Sequence, residues 1–349
     1  MIDSKLLSEK LQQILEERNI AGMSVAVTDR EKVIYNEGFG VLSIEHPDMK
    51  QKGDTMCRIA SVSKIVTSTM VMKLVEEGLL DLDKLVTDYI PDLELSRPEA
   101  LKELTLRHLL THTGGLPTDE GYIPNMLCRE EDISAEIMKY MPGLKIATLP
   151  SEKVNRYANV GFVLAAEMGT RVTGKTAPQL WKDYVLDPLG MNMSTNDFYR
   201  AASYPLTQPH DYDENGNIFQ VHYHRHHTMY VAGGGLYSTT PDLCKLGRFL
   251  LNYGKTDSGE QYLSRETMEN MFTKHTIKDI NPGDYYGLGI HIHAYKDRFF
   301  YGHSGNIHPY NTSLFVDPVT GIGVAVFINC PHGDLRFLIP EMIIEMAEK

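Results

Sequence analysis

Residues 61–64 read Ser61-Val62-Ser63-Lys64, at the head of an apolar run that predicts a helix to about Glu77. Positions i and i+3 lie on one face of a helix, so the Lys64 amine can reach the Ser61 hydroxyl. A serine is a poor nucleophile near neutral pH and needs an adjacent base. A lysine desolvated in a pocket can lose its proton and serve as that base. The pattern indicates a nucleophilic serine, although a chain of this length contains about one such match by chance.

Length, composition and charge restrict the function classes. The chain has 349 residues, of which 42% are hydrophobic and 23% charged, which is typical of a soluble globular protein. Its formal net charge of −12 argues against nucleic acid as a partner, because phosphate binding needs a basic surface. No run approaches the length of about 18 apolar residues that a membrane helix needs, so we expect no membrane partner.

The cysteines and the N-terminal segment predict a cytoplasmic location. The four cysteines lie far apart and form no C-x-x-C pair, so we expect free buried thiols rather than disulfides; they are Cys57, Cys128, Cys244 and Cys330. The first 19 residues have no apolar signal segment. Both observations are typical of a reduced, cytoplasmic protein.

The order of predicted elements is a helix, two strands, a helical block, several strands and a last helix. The strand signals lie at 23–28, 32–35, 286–293, 299–302, 313–316 and 323–328, and the clearest helices at 4–18, 159–173 and 333–347. This order predicts an α/β (α+β) fold, with one antiparallel sheet built from both chain ends and flanked by helices. We expect a single domain with an α/β lobe at about 1–80 and 231–349 and an inserted helical lobe at about 81–230. A cleft between the lobes is the natural binding site.

A second motif, Tyr157-Ala158-Asn159, opens the helix predicted over 159–173. A phenol next to the Lys64 ammonium would have a lowered pKa, so Tyr157 could accept the Ser61 proton and later deliver it to a leaving group. Asn159 offers an amide that could hold either Lys64 or a substrate carbonyl.

A third motif, His303-Ser304-Gly305, lies between two predicted strands. A glycine there lets a substrate backbone lie close to the strand. The run superficially resembles a G-x-S-x-G nucleophile elbow, but Asn306 stands in place of the last glycine. We therefore do not expect Ser304 to be the nucleophile.

With these motifs in place, the chain resembles the serine β-lactamase-like and penicillin-binding protein family. The branch it resembles contains class C β-lactamases, D-alanyl-D-alanine carboxypeptidases, D-aminopeptidases and β-lactamase-like esterases. The resemblance covers most of the chain, because five segments match in order at suitable spacing; they are Arg58–Lys64, Leu104–Pro117, Ala232–Asp242, Gly302–Gly305 and Val316–Pro318.

The resemblance implies a serine hydrolase that works through an acyl-enzyme. In this family pattern Ser61 attacks a carbonyl, while Lys64 and Tyr157 share the general-base and general-acid work; which of the two is the resting base stays open. The backbone N–H groups of Ser61 and Asn306 would form the oxyanion hole. Asn159 would orient the substrate amide. The resemblance implies no cofactor and no metal.

One departure from the family pattern narrows the substrate. Many β-lactamases carry Lys-Thr-Gly at the third motif, where the lysine attracts a substrate carboxylate. This chain has His303, which is mostly neutral near pH 7 when unperturbed, followed by Ser304 and Gly305 as the rest of the substrate-binding edge. The change favours a small ester, amide or D-amino-acid peptide. A β-lactamase or D-alanyl-D-alanine carboxypeptidase is the first alternative, and a non-catalytic β-lactam or peptide sensor is the second.

For the histidines outside these motifs we expect structural rather than catalytic roles. The run His222-Tyr-His-Arg-His-His227 lacks an accompanying carboxylate or cysteine, so we expect a polar wall of the cleft rather than a metal site. His291 and His293 alternate as residues of a solvated strand face would, and His112 is expected to be structural. The acyl group, the leaving group and the oligomeric state stay open.

Overall fold

The computed structural model describes residues 2–118, 129–222, 231–277 and 283–348 of the chain. Within these ranges the strands are β1 Gly22–Thr28, β2 Val33–Gly40, β3 Cys57–Arg58, β4 His210–Tyr212, β5 Ile218–Gln220, β6 Tyr237–Ser238, β7 Thr276–Ile277, β8 Tyr285–Tyr286, β9 His291–Tyr295, β10 Arg298–Ile307, β11 Tyr310–Asp317 and β12 Ile322–Ile328. The α-helices are α1 Ser4–Glu17, α2 Ser63–Glu76, α3 Leu106–Leu110, α4 Ile133–Tyr140, α5 Asn159–Thr173, α6 Ala177–Trp181, α7 Phe198–Ala202, α8 Val231–Gly234, α9 Thr240–Leu251, α10 Arg265–Met271 and α11 Leu335–Glu348.

The central sheet is antiparallel and unites both ends of the chain, which confirms the predicted fold class. Its order over the described residues is β2-β1-β12-β11-β10-β9-β8-β7. Strand β1 lies directly beside β12, with Met23 opposite Ile328 and Val27 opposite Val324. Because the N-terminal hairpin pairs with the C-terminal strands, the long middle segment must leave the sheet and return to it. The lobe boundaries near residues 80 and 231 stay a prediction.

Helices cover the sheet on both faces because its central strands are apolar on both sides. Met23 and Val25 of β1 pack in one cluster with Leu7 of α1 and Ile343 of α11. Ala26, one residue out of phase, belongs to the cluster on the other face, which includes residues of α2 and α9. Helix α1 begins where the Asp3 carboxylate accepts the backbone N–H groups of the first turn.

Two strand predictions differ from the structure. The run 286–293 is divided between β8 and β9 by a turn in which Gly289 has φ +73°, and a Cβ there would lie 1.7 Å from Ser68 Oγ of α2. The chain therefore turns where it passes close to a helix. In addition, β10 is longer than predicted, so His303, Ser304 and Gly305 lie within the strand and not between two strands.

Three of the four cysteines are buried free thiols, as predicted; they are Cys57, Cys244 and Cys330. Cys128 lies outside the described residues. Within the described ranges, no helix is both long enough and apolar enough to cross a membrane.

Candidate active site

Ser61 lies in a 3₁₀ turn, Ala60–Val62, immediately before α2. Ala60 has φ +48°, a conformation that residues with a Cβ rarely adopt, and such strain clusters at functional sites. The turn is held on its inner side, because the Ser63 hydroxyl donates to the Ala60 carbonyl at 2.7 Å. The Thr312 hydroxyl of β11 donates to the Ile59 carbonyl at 2.8 Å. Ser61 is thereby fixed, half-buried, at the start of a buried helix.

Lys64 lies one helical turn after Ser61 and is fully buried. Its ammonium group has a hydrogen-bond acceptor for each of its three N–H groups. Its Nζ donates to Ser61 Oγ at 3.2 Å, to Asn159 Oδ1 at 2.5 Å and to the Gly233 carbonyl at 2.5 Å. An ammonium group has three N–H donors, and a buried charge is tolerated when it is hydrogen-bonded. The Asn159 amide, which the sequence left free to hold Lys64 or a substrate, therefore contacts Lys64.

Tyr157 is the second group in contact with the Ser61 hydroxyl. Its phenol donates to Ser61 Oγ at 2.7 Å, and Lys64 Nζ lies 4.8 Å from the centre of its ring. Tyr157 stands two residues before α5, so the beginning of that helix supplies both Tyr157 and Asn159. The structure thus places two proton-transfer groups within hydrogen-bond distance of one serine oxygen, which is the arrangement needed to activate a hydroxyl nucleophile.

Strand β10 forms the wall next to the Ser61 turn, and Gly305 permits its close approach. A Cβ on Gly305 would lie 2.4 Å from the Ile59 carbonyl oxygen and 2.3 Å from Thr312 Oγ1. Any other residue there would push the strand away from the turn. Ser304 is buried beside it, and Asn306, the next residue, is exposed with its Nδ2 donating to Asn311 Oδ1 at 2.9 Å. Gly305 is therefore the predicted edge residue that the structure places directly against the Ser61 turn, and Ser304 and Asn306 are its neighbours in the strand.

His303 is buried, and its two ring nitrogens have different partners. Nδ1 lies 2.5 Å from the Ser304 carbonyl oxygen, which can only accept, so Nδ1 carries a proton. Nε2 lies 2.8 Å from the Tyr286 hydroxyl. Burial raises the pKa of Tyr286 well above its usual value, so this hydroxyl keeps its proton and can donate to Nε2. The arrangement fits a neutral imidazole, in keeping with the expected loss of a cationic anchor at this position.

Arg336, in the first turn of α11, is a cation that the sequence reasoning missed. Its Nε donates to the Gly333 carbonyl at 2.8 Å, and no carboxylate lies within 4.0 Å of it in the described part of the chain. Burial lowers the pKa of Arg336, whereas Tyr157 and Asp334 oppose that effect, so both groups lie within electrostatic range of the guanidinium. A lone basic residue at the start of a helix whose other residues are apolar or acidic was the available sequence signal.

His291 and His293 do not form a solvated strand face, because α11 covers them. They are buried with Asp284, and His291 Nε2 lies 2.6 Å from an Asp284 carboxylate oxygen. His293 has a carboxylate at each ring nitrogen, Asp284 at 3.1 Å and Glu341 of α11 at 2.8 Å. Tetrahedral zinc ligands about 2.1 Å from the ion would lie roughly 3.4 Å apart. The contacts of both histidines with Asp284 are shorter than this, and both ring nitrogens of His293 are hydrogen-bonded to carboxylates. These features indicate a histidinium that bridges two carboxylates rather than a set of metal ligands.

Only the first residue of the histidine-rich run 222–227 lies within the described residues. His222 Nε2 lies 3.0 Å from Glu45 Oε1. The rest of that run, residues 223–227, lies outside the described residues.

Comparison with known proteins identifies the family. A family model described as Beta-lactamase matches residues 7–344. The chain belongs to the beta-lactamase family. Protein flp of Staphylococcus aureus (strain MW2) is 24% identical over 338 residues, a match that spans 93% of this chain but only 64% of that relative. The family predicted from the sequence is therefore confirmed.

Solved structures of the same fold span the whole chain. The octameric penicillin-binding protein homologue from Pyrococcus abyssi is 26% identical with a TM-score of 0.84, covering 100% of this chain and 79% of that one. The D-amino acid amidase from Ochrobactrum anthropi SV3 is 22% identical with a TM-score of 0.79, covering 98% of each chain. EstCE1, a hydrolase with promiscuous acyltransferase activity, is 19% identical with a TM-score of 0.82, covering 99% of this chain and 98% of that one. The last two likenesses concern the fold alone.

Proposed function

We propose that this protein is a serine hydrolase that cleaves a small ester, amide or D-amino-acid peptide through an acyl-enzyme on Ser61. The observation that carries the proposal is the position of Ser61 Oγ, 2.7 Å from the Tyr157 hydroxyl and 3.2 Å from Lys64 Nζ. Both neighbours can exchange a proton with the serine, and the lysine is buried where its charge depends on hydrogen bonds from the protein.

Acylation follows from this arrangement. One member of the Tyr157–Lys64 pair must first be deprotonated to serve as the base. As Ser61 Oγ attacks the substrate carbonyl carbon, its proton passes to that group, and the carbonyl oxygen becomes an oxyanion. The backbone N–H groups of Ser61 and Asn306 are the proposed donors to that oxyanion, and loss of one such donor typically costs about 10²–10³ in rate. The tetrahedral intermediate then collapses, and the same proton is delivered to the leaving alcohol or amine.

Deacylation repeats the same steps with water as the nucleophile. A proton passes from water to the Tyr157–Lys64 pair, the acyl–oxygen bond to Ser61 breaks, and the serine regains its proton. Another alcohol or amine in place of water would give acyl transfer. A protein that acylates but cannot carry out this second half would be a sensor, and the intact set of Ser61, Lys64 and Tyr157 supports an enzyme instead.

The substrate class is inferred from the wall next to Ser61. The neutral His303 offers no cation at the position where many relatives carry a lysine, and this favours substrates without a carboxylate at that point. Two structural neighbours are in keeping with this choice, since one is a D-amino acid amidase and another a hydrolase with promiscuous acyltransferase activity. A cytoplasmic location stays a prediction from the sequence.

Arg336 favours a second candidate function. Its guanidinium has no carboxylate partner within 4.0 Å in the described part of the chain and lies within electrostatic range of Tyr157. A substrate carboxylate could occupy that position, as in a penicillin or a D-alanyl peptide, because charge-assisted hydrogen bonds to arginine are among the stronger polar contacts. A β-lactamase or D-alanyl-D-alanine carboxypeptidase is therefore the alternative.

Labelling with a fluorophosphonate tests the shared mechanism. Intact mass should show one adduct on the wild type and none on Ser61→Ala, and peptide mapping should place the adduct on Ser61. A Ser61→Ala protein that is labelled as fast as the wild type would contradict the proposal.

A substrate panel then separates the candidates. We expect turnover of nitrophenyl esters or of D-amino-acid nitroanilides in preference to their L-isomers. Faster turnover of a chromogenic cephalosporin would favour the β-lactamase alternative, and a permanent acyl adduct without turnover would favour the sensor.

A further inference from the structure

His112 occupies a strained and buried position next to the proposed site. It directly follows Thr111, the C-cap residue of α3, and has φ +59° with 2% of its surface exposed. Glycine is the usual residue for this conformation after a helix, because a side chain there costs conformational energy. A histidine that keeps this conformation must be held by other contacts, and the structure shows where those contacts lead.

Two hydrogen bonds join His112 to the residues on either side of Tyr157 in the chain. The N–H of Arg156 donates to the His112 carbonyl at 2.7 Å, and the N–H of Ala158 donates to His112 Nδ1 at 3.0 Å. The backbone N–H groups of the residues before and after Tyr157 are thus both tied to His112. Since Nδ1 accepts a hydrogen bond, the imidazole carries no proton at that nitrogen.

The ring contacts of His112 lead to the same residue. Its imidazole lies 4.3 Å from the Tyr157 ring centre, 5.3 Å from that of Phe162 and 4.6 Å from that of Tyr286. Tyr286 in turn contacts His303 Nε2 at 2.8 Å. The His112 ring therefore packs against both the tyrosine beside Ser61 and Tyr286, the residue whose hydroxyl contacts His303.

We infer that His112 is the positioning residue for Tyr157: its carbonyl and Nδ1 fix the backbone on both sides of that tyrosine, and its ring fixes the phenol plane, so that the hydroxyl stays within reach of Ser61. The inference rests on the proposed function, because Tyr157 matters to catalysis only if Ser61 is acylated. It assigns to His112 a role beyond packing, since the contacts converge on a group whose distance to Ser61 Oγ is 2.7 Å.

Two substitutions separate the hydrogen bond from the ring. His112→Asn places an Oδ1 acceptor the same number of bonds from the backbone as Nδ1, and asparagine tolerates positive φ, but the ring is lost. His112→Phe keeps a ring and loses the acceptor. Because a misplacement of about 1 Å can cost 10²-fold in rate, we expect His112→Phe to slow fluorophosphonate labelling of Ser61 by about 10²-fold. His112→Asn should be labelled within roughly tenfold of the wild-type rate.

The control is Leu7→Ala, a cavity variant on the far face of the sheet. It should lower the Tm while the labelling rate of the folded protein stays at the wild-type value. For any substrate that is turned over, His112→Phe should lower kcat with little change in KM. The inference is overturned if His112→Phe labels at the wild-type rate per folded molecule. It is also overturned if His112→Asn is as slow as His112→Phe, because the Nδ1 contact would then not be the one that matters.

A second readout keeps this inference separate from the proposed function. In protein labelled with ¹³Cζ-tyrosine, the Tyr157 resonance is assigned from Tyr157→Phe. It should move furthest in His112→Phe, which loses the acceptor, and by less in His112→Asn, which keeps the acceptor but loses the ring. If the wild type is not labelled by the fluorophosphonate but this pattern appears, the hydrolase proposal fails and the positioning role stands. If the resonance is the same in all three proteins, His112 does not position Tyr157.

Discussion

The buried cluster of Asp284, His293 and Glu341 should make the protein lose stability at mildly alkaline pH. His293 of β9 lies between Asp284 at 3.1 Å and Glu341 of α11 at 2.8 Å. Burial alone would lower the pKa of His293, but hydrogen bonds to the two carboxylates and their charges raise it to about 9. The cluster joins strand β9 of the sheet to helix α11, so its charge state affects how firmly that helix is held.

The sign and size of the effect follow from proton linkage. A group whose folded pKa is raised stabilises the protein fully below its unfolded pKa, and the contribution is lost as pH rises through the folded value. For His293 the span from 6.5 to about 9, at about 1.36 kcal/mol per pH unit, corresponds to about 3 kcal/mol of the free energy of unfolding.

Asp284 shows the acid side of the same interaction. Burial alone would raise its pKa, but hydrogen bonds from His291 and His293 hold the pKa well below its usual range. Its contribution is therefore present above the unfolded value of about 3.9 and is lost as pH falls. Because the Asp284–His293 bond is one interaction, the two contributions are not added.

The assay is urea unfolding of the wild type and two variants at pH values from 6 to 9.5. Glu341→Gln removes one of the two anions at His293, so its folded pKa should fall and the alkaline loss should shrink. His308→Gln is the matched control, because His308 pairs with Asp211 at the surface, where such pairs contribute little. Its alkaline loss should equal that of the wild type. A wild-type curve that is flat between pH 6.5 and 9, or identical in Glu341→Gln, would refute the reasoning.

Three further predictions concern the site. Tyr157→Phe removes the hydroxyl next to Ser61 and should slow fluorophosphonate labelling by about 10²–10⁴-fold while the Tm stays within a few degrees of wild type; an unchanged rate would exclude Tyr157 from proton transfer. Gly305→Ala should destabilise the protein by about 1–3 kcal/mol in urea unfolding and also slow labelling, because its Cβ would lie 2.4 Å from the Ile59 carbonyl oxygen. Arg336→Ala should raise KM by roughly tenfold or more for a substrate with a carboxylate and leave KM for an uncharged ester unchanged, since hydrogen bonds to charged groups contribute about 1.5–3 kcal/mol; equal effects on both substrates would remove Arg336 from carboxylate binding.

Local patterns in the sequence were sufficient for the fold class and for the contact between Ser61 and Lys64. The spacing of Ser61 and Lys64 predicted a shared face, and their atoms are 3.2 Å apart. The apolar alternation near both chain ends predicted one sheet, and β1 pairs with β12. These features depend on periodicity within a few residues, which a sequence displays directly.

Features that depend on distant segments were not predictable. His291 and His293 alternate like residues of a solvated face, yet Glu341 and the rest of α11, about 50 residues later, cover them. Gly289 divides a predicted strand because Ser68 lies against it. In each case the packing partner, rather than the local pattern, decides the environment of the residue.

The same dependence explains why substrate class is harder to infer than reaction type. The proposed proton-transfer groups come from the beginnings of two helices, α2 and α5, where sequence motifs specify short-range geometry. The charge proposed to meet a substrate depends on His303 and Arg336, which come from a strand and from the last helix. Reading His303 alone favours a neutral substrate, whereas Arg336 restores a cation close by. The KM comparison for Arg336→Ala measures which of these two influences prevails.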